Sequence, residues 1–326
     1  MSKSDLLMGY TLHRGNAFQI LQEEYPENHF HAVVTDPPYG VVEFETAQVE
    51  KMRDGTGGVW RIPPELDGSK RKPLPRFTVL TADDKEKLRT FFRTFGEAIE
   101  RVLRPGGHVF VATTQLLMHE VSKQLDEAGL ERRDVLVRET KTLRGGDRPK
   151  GAHDHPEYNM VSSMPRVYWE PWLLYRKPFD GRLEENLDEW QTGGLRRESH
   201  DRPFSDLLEN GKTPKKETEL VRQAHPDGTD AHPNLKPQYL MRELCHAALP
   251  LQEGVIVDPF MGSGSTIAAA EALGYTAVGI EIDETFYEMA ENAIPQLATI
   301  ETEVERRDDI AQQRSGEHSR SLTDFR

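Results

Sequence analysis

Val255-Ile256-Val257-Asp258-Pro259-Phe260-Met261-Gly262-Ser263-Gly264-Ser265-Thr266 is the stretch from which the architecture of this 326-residue chain can be read. Three β-branched apolar residues in a row, closed by turn formers, predict a fully buried strand. An Asp-Pro step ends it, and two glycines then allow a tight turn before a helix that runs from Thr266 to Leu273 and stops at Gly274. Ala277-Val278-Gly279-Ile280 follows as a second buried strand and ends at Glu281. Strand, glycine turn, helix and strand make a βαβ unit, which requires a parallel sheet covered on both faces.

The same alternation recurs upstream. Ala32-Val33-Val34 runs into Thr35-Asp36-Pro37-Pro38-Tyr39-Gly40, and His108-Val109-Phe110-Val111 follows a helical pattern from Lys85 to Leu103 that closes with Arg104-Pro105-Gly106-Gly107. Pro237 to Leu249 and Thr285 to Ile294 read as further helices, and Trp169 to Lys177 as another strand with at least one of Trp169 and Trp172 in the core. The fold class is α/β: a Rossmann-like, mostly parallel sheet with helices on both faces. Two polar, Gly- and Pro-containing stretches, 41–76 and 179–231, break the alternation and read as insertions. Residues 1–40, 77–178 and 232–298 then form one domain, and the charged tail 299–326 is expected to be a frayed helix followed by disorder.

Composition narrows the class. Hydrophobic residues make up 36% and charged ones 29%, enough apolar content for a packed core. No apolar run of about eighteen residues is present, and Met1-Ser2-Lys3-Ser4-Asp5 has no apolar core, so no membrane span or secretory leader is expected and the chain is placed in the cytoplasm. A single cysteine, Cys245, rules out an intramolecular disulfide and reads as core. His153 and His155, with His225 and His232 elsewhere, give no four-ligand spacing, and no metal is expected. The net charge of -14 argues against a nonspecific nucleic-acid coat. Basic residues nevertheless cluster at Lys70, Arg71, Lys72 and Arg76, and again at Arg132, Arg133, Arg138, Lys141, Arg144, Arg148 and Lys150. These clusters are either solvated faces or the lining of one groove.

Two turns carry chemistry. In Asp36-Pro37-Pro38-Tyr39 the prolines fix the backbone and remove two N–H donors, so carbonyl oxygens can face a cleft without a competing donor. The Asp36 carboxylate adds an acceptor and Tyr39 an aromatic plate, a set suited to a planar group bearing an NH2, such as a nucleobase; an ordinary Asp-Pro turn remains the alternative. In the Asp258–Thr266 turn, position 267 is isoleucine where a dinucleotide fingerprint needs glycine, and no lysine follows as in a phosphate-binding loop. Glu281 at the end of the next strand can accept from two ribose hydroxyls. A ligand with a ribose and an ammonium group but no phosphate fits, and S-adenosylmethionine is such a ligand.

With Leu12-His13-Arg14-Gly15-Asn16, Leu103-Arg104-Pro105-Gly106-Gly107, His232-Pro233-Asn234-Leu235-Lys236-Pro237 and Gly279-Ile280-Glu281-Ile282-Asp283 added to the two turns, the sequence resembles the amino-methylating DNA methyltransferases that modify adenine N6 or cytosine N4. The acceptor turn precedes the glycine turn, as in the permuted order called beta. The likeness covers Tyr10 to about Arg104, Trp169 to Lys177 and His232 to Leu297. It implies an S-adenosylmethionine-dependent methyltransferase fold, a catalytic role for Asp36, Pro37, Pro38 and Tyr39, and a cofactor site. In that site Asp258 meets the ammonium, Phe260 lines the adenosine, Gly262 and Gly264 allow close approach, Glu281 takes the ribose and Lys236 the methionine carboxylate. The family usually has aspartate at Asn16, where it receives the adenine amino group. For Phe260 core packing, and for Lys236 a surface position, stay open.

The resemblance also implies double-stranded DNA as partner, with a cognate restriction nuclease and a second copy of the chain as further candidates. Lys70, Arg71, Lys72, Arg76, Arg144, Arg148 and Lys150 are the expected phosphate contacts and 179–231 the expected target-recognition segment. Aspartate at position 36 favours adenine N6; cytosine N4 enzymes more often carry serine there. A silent DNA-binding subunit of the same fold is the alternative of a different class, and the intact acceptor and glycines argue against it.

Overall fold

The computed structural model describes residues 9–38, 82–140, 155–162, 165–208, 213–226 and 235–302, together with the backbone of 65–66 and 69–70. The chain runs β1 (Tyr10–Arg14), α1 (Ala17–Glu24), β2 (Phe30–Thr35), a short ribbon of β3 (Glu65–Leu66) and β4 (Ser69–Lys70), α2 (Ala82–Val102), β5 (Leu103–Ala112), α3 (Met118–Glu127) and β6 (Glu131–Glu139). It continues through β7 (Trp169–Arg176), α4 (Leu183–Trp190), β8 (Leu207–Leu208), α5 (Lys215–Ala224), α6 (Gln238–Ala248), β9 (Val255–Asp258), α7 (Ser265–Ala272), β10 (Thr276–Glu281) and α8 (Glu284–Ala298).

The strand order of the main sheet is β1-β10-β9-β2-β5-β7-β6-β8. β7 runs antiparallel to β5 and β6, and the other neighbours are parallel. From β9 the chain crosses through α7 to β10 on one side, and from β2 it crosses through α2 to β5 on the other. β2 and β9 are themselves neighbours, with Ala32 opposite Ile256 and Val33 opposite Val257. Their carboxyl ends, which carry Asp36 and Asp258, therefore meet at the point where the winding reverses and a crevice opens.

Strand side chains alternate between two cores. Ala32, Val34, Phe110, Trp172 and Ile256 pack towards α5, α6, α7 and α8, whereas Val33, Val109, Val111, Leu173 and Val257 pack towards α1, α2 and α3. Burial on both faces is why these strands read as unbroken apolar runs. Trp172 and Cys245 are fully buried, as expected.

Leu103 to Gly107 is not the closing turn of the preceding helix but the start of β5. The Gly106 N–H donates to the Lys177 carbonyl and the Lys177 N–H to the Gly107 carbonyl, each at 2.9 Å. A Cβ at Gly107 would lie 2.8 Å from the His31 carbonyl oxygen, so β2 and β5 can approach only because the residue is glycine. The described parts of 179–231 lie at both the amino and the carboxyl edge of the sheet. Around α4, the Asn186 amide and the Thr192 hydroxyl donate to the Pro105 carbonyl at 3.0 and 2.5 Å, at the amino edge, remote from Asp36 and Asp258. β8 instead pairs with Val137 and Arg138 near the carboxyl end of β6, and α5 packs Val221 and Ala224 into the core. The described part of the segment around α4 thus lies at the amino edge and the part around β8 near the carboxyl edge. Among the described residues no helix is long and apolar enough to cross a membrane.

Candidate active site

Thr35, the last residue of β2, and Asp258, the last of β9, are fully or almost fully buried. The Thr35 hydroxyl donates to Asp258 Oδ1 at 2.7 Å, joining the acceptor turn to the glycine turn across 223 positions of sequence. The same oxygen accepts the Phe260 N–H at 3.1 Å, and Oδ2 accepts the Thr266 hydroxyl at 2.5 Å. Burial pushes the Asp258 carboxyl up to about 6 against the pull of those three hydrogen bonds, and the nearby Asp36 charge adds to the rise. A cation brought to Asp258 would relieve this desolvated charge.

The glycine turn is locked to β10. Gly262 donates its N–H to Glu281 Oε2 at 3.0 Å, while Oε1 accepts the Asp283 N–H at 2.8 Å. Gly264 has φ +83°, and a Cβ there would sit 2.5 Å from Ile294 Cγ1 of α8. Left-handed backbone and helix contact both demand glycine at this position. Burial raises the Glu281 pKa as well. Ile282 beside it is 68% exposed, an apolar surface next to a carboxylate at the carboxyl edge of the sheet.

Asp36 leaves β2 beside a chain of buried charge. Its Oδ2 lies 3.1 Å from Lys236 Nζ, which also donates to Glu170 Oε1 of β7 at 2.7 Å. Glu170 Oε2 in turn accepts from Arg138 Nη1 of β6 at 3.0 Å and from Trp172 Nε1 at 3.2 Å. Burial alone would raise the Glu170 carboxyl; the Lys236 ammonium and the Arg138 guanidinium outweigh it and hold the group down at about 2. Sequence reasoning missed Glu170 altogether and counted Arg138 among the surface basic residues. An acid within the apolar run Trp169-Glu170-Pro171-Trp172 was the available signal.

The remaining expected site residues divide. Pro37 is buried and Pro38 exposed beside Asp36. Asn16 caps α1: its Oδ1 accepts from the Phe18 and Gln19 N–H groups at 3.0 and 3.2 Å, so the oxygen expected to receive an adenine amine already serves the helix. Phe260, half-buried, packs its ring against Phe18, Phe91 and Phe95, with centroids 6.2, 5.5 and 5.7 Å away. Lys236, expected to meet the cofactor carboxylate, is buried with its ammonium between the carboxylates of Asp36 and Glu170. Tyr39, Arg71, Lys72, Arg76, Arg144, Arg148 and Lys150, and the side chain of Lys70, lie outside the described residues.

The donor set fits S-adenosylmethionine. Asp258, Glu281 and Asp36 surround the turn at the start of α7, where a dinucleotide's phosphates would meet carboxylates and a ligand bearing an ammonium, a sulfonium and a ribose would be complemented.

The family described as DNA methylase (N6_N4_Mtase) matches residues 30–292. The type II methyltransferase M.HindIII of Haemophilus influenzae is 25% identical over 287 residues, covering 82% of this chain and 89% of the relative. The type II methyltransferase M.ScaI of Streptomyces caespitosus is 42% identical over 60 residues, 18% of this chain and 19% of the relative. Among solved structures, the cytosine-N4-specific PvuII DNA methyltransferase matches with a TM-score of 0.55 at 14% identity over 94% of each chain. The TTHA0409 protein of Thermus thermophilus, solved with S-adenosyl-L-methionine, matches with a TM-score of 0.50 at 19% identity over 88% of this chain and 95% of that one. These two share the fold. The family match takes in β2, β9, both turns and the sheet between them, and the chain belongs to the N6/N4 family of DNA methylases.

Proposed function

We propose that the protein is an S-adenosylmethionine-dependent DNA methyltransferase acting on the exocyclic N6 of adenine. The observation that carries the reading is the Thr35–Asp258 hydrogen bond, which holds the amine-accepting turn against the turn suited to a cationic, ribose-bearing cofactor. When bound, S-adenosylmethionine supplies an electrophilic methyl group. An exocyclic base amine is a weak nucleophile because its lone pair is shared with the ring. Asp36 and the Pro37 carbonyl accept the amine's two hydrogens and thereby localise the lone pair on nitrogen. The same acceptors stabilise the positive charge that develops there. Neither a covalent enzyme intermediate nor a metal is called for by this chemistry. Asp258 and Glu281 bind the cofactor's ammonium and ribose.

A base stacked in a duplex cannot reach this crevice, so the target must be flipped out, and Tyr39 is assigned as its stacking partner at roughly 1–3 kcal/mol. Lys70, Arg71, Lys72, Arg76, Arg144, Arg148 and Lys150 are proposed to hold phosphates. The type II relatives support a role beside a cognate restriction nuclease; a homodimer is the further assembly proposed. Asp36, an anionic acceptor, is what supports adenine over cytosine N4.

The test is direct: incubate pure protein with labelled S-adenosylmethionine and unmethylated DNA, digest to nucleosides and identify the product by mass spectrometry. N6-methyl-2′-deoxyadenosine is expected. N4-methyl-2′-deoxycytidine would overturn the base assignment, and no methylated nucleoside on varied-sequence DNA would overturn the activity.

A further inference from the structure

The proposed chemistry uses Asp36 but gives no role to the three charges buried beside it. Lys236 precedes α6, Glu170 lies on β7 and Arg138 on β6, so three separate elements deliver them to one place. The side chains of Lys236, Glu170 and Arg138 are 5%, 16% and 9% exposed. Two carboxylates alternate with two cations in the order Asp36, Lys236, Glu170, Arg138, and the chain of charge is neutral as a whole. Such a chain is weak as a device for stability, because desolvation of each ion offsets most of the attraction and apolar residues of similar volume would serve as well. Its position at the acceptor turn calls for a different account.

The distances supply one. Lys236 Nζ is 2.7 Å from Glu170 but 3.1 Å from Asp36, so its closer partner is Glu170. An ammonium paired with Asp36 alone would compete with the target amine for the carboxylate; one shared with Glu170 can hold the carboxylate's orientation while drawing on it less. We infer that Lys236, held in place by Glu170 and Arg138, is a positioning residue that fixes the Asp36 carboxylate as an acceptor for the target amine. The inference rests on the reading of Asp36 as that acceptor. It competes with the assignment of Lys236 to the cofactor's methionine carboxylate.

The experiment compares the full-length wild type with E170Q, K236M, D36N and the double variant D36N/E170Q. Three quantities are measured: the Kd for S-adenosylmethionine by calorimetry, the single-turnover rate of methyl transfer with enzyme in excess over DNA, and the melting temperature. E170Q, which keeps the shape of the side chain, is expected to slow transfer by roughly 10- to 100-fold, the range for outer partners that orient a reacting group. Its Kd should change by less than about threefold, a split that a merely structural role would not produce. In the D36N background E170Q should add less than about twofold, because the group it positions is already altered. An unchanged rate in E170Q with a slow D36N overturns the inference and leaves the acceptor reading standing. A tenfold or greater loss of cofactor affinity in K236M, with E170Q kinetically silent, overturns it in favour of the cofactor clamp. A wild-type rate in D36N overturns the acceptor reading and the inference with it. Should K236M fail to fold, E170Q and the double variant still decide the matter.

Discussion

Replacing Asp258 with asparagine should make the protein more stable at neutral pH while weakening its hold on the cofactor. The carboxyl is pushed from an ordinary 3.8 up to about 6 by burial. A rise of roughly two units is worth about 3 kcal/mol between the two protonation states. Because the folded value lies above the unfolded one, the native protein binds this proton more tightly than the unfolded chain does. The resulting stabilisation is complete below about pH 4 and is lost as pH rises through about 6. Asparagine carries no such dependence. The unfolding free energy of D258N minus that of the wild type should therefore climb by about 3 kcal/mol from pH 4 to pH 7. Taking the difference cancels the other titrating groups, including Glu217 and Glu281, whose pKa values burial also raises.

The local geometry tolerates the exchange. Asparagine Oδ1 can keep the Thr35 hydroxyl and the Phe260 N–H, while its NH2 faces Thr266, whose hydroxyl can turn and accept. Urea unfolding across that pH range at constant ionic strength measures the difference, and calorimetry with S-adenosylmethionine measures the affinity, expected to fall by at least about tenfold with the lost charge pairing. A difference that stays flat with pH would refute the burial argument, and wild-type affinity would remove Asp258 from the cofactor site.

Three further outcomes are expected. D36A should lose at least about 100-fold in methyl transfer with cofactor Kd nearly unchanged, whereas E281A should lose cofactor affinity first; equal losses of affinity in both would contradict the assigned roles. G264A should cost about 2–4 kcal/mol in urea unfolding, since the new Cβ meets Ile294 and the backbone at +83° disfavours any side chain; no loss would mean that α8 yields freely. Neutralising Lys70, Arg71 and Lys72 together should raise the KM for DNA and flatten the salt dependence of DNA binding while leaving cofactor affinity alone; a parental salt slope would show that this cluster touches no phosphate.

Strands β2, β5, β9 and β10 were legible because helices cover both faces of the sheet and leave little room for polar positions along them. Helices α2, α6, α7 and α8 were legible from their periodicity and from the glycines and prolines that bound several of them. β6 was not: it lies towards the sheet edge, paired to β8 at only two positions, so Arg132 and Arg133 reach solvent and the strand reads as a basic run. α4 and α5 were hidden for a similar reason, each turning only a narrow face inward, Asn186 in the one and Glu217, Val221 and Ala224 in the other. Both chemical turns were visible because each is contiguous in sequence. The Lys236–Glu170 pair joins residues 66 positions apart, and no local pattern records that contact.

Charge distribution at the crevice explains why the two ligands call on different parts of the chain. Asp258 and Glu281 are the carboxylates left uncancelled at the carboxyl edge around the start of α7, because Asp36 belongs to a chain with Lys236, Glu170 and Arg138 that is neutral as a whole. A field of this sign favours a cationic cofactor and opposes a phosphate backbone, which is why the proposal places the phosphate contacts away from these carboxylates. On the proposed reading a flipped base, neutral and planar, is the part of the polymer that enters, and the phosphate contacts are assigned to the basic stretches of the sequence. That division fits the sequence, which keeps its basic clusters out of both turns and puts them in the stretches after Asp36 and before Trp169. A chain with a net charge of -14 can then act on a polyanion if attraction is confined to those stretches and the carboxylates stay at the crevice floor.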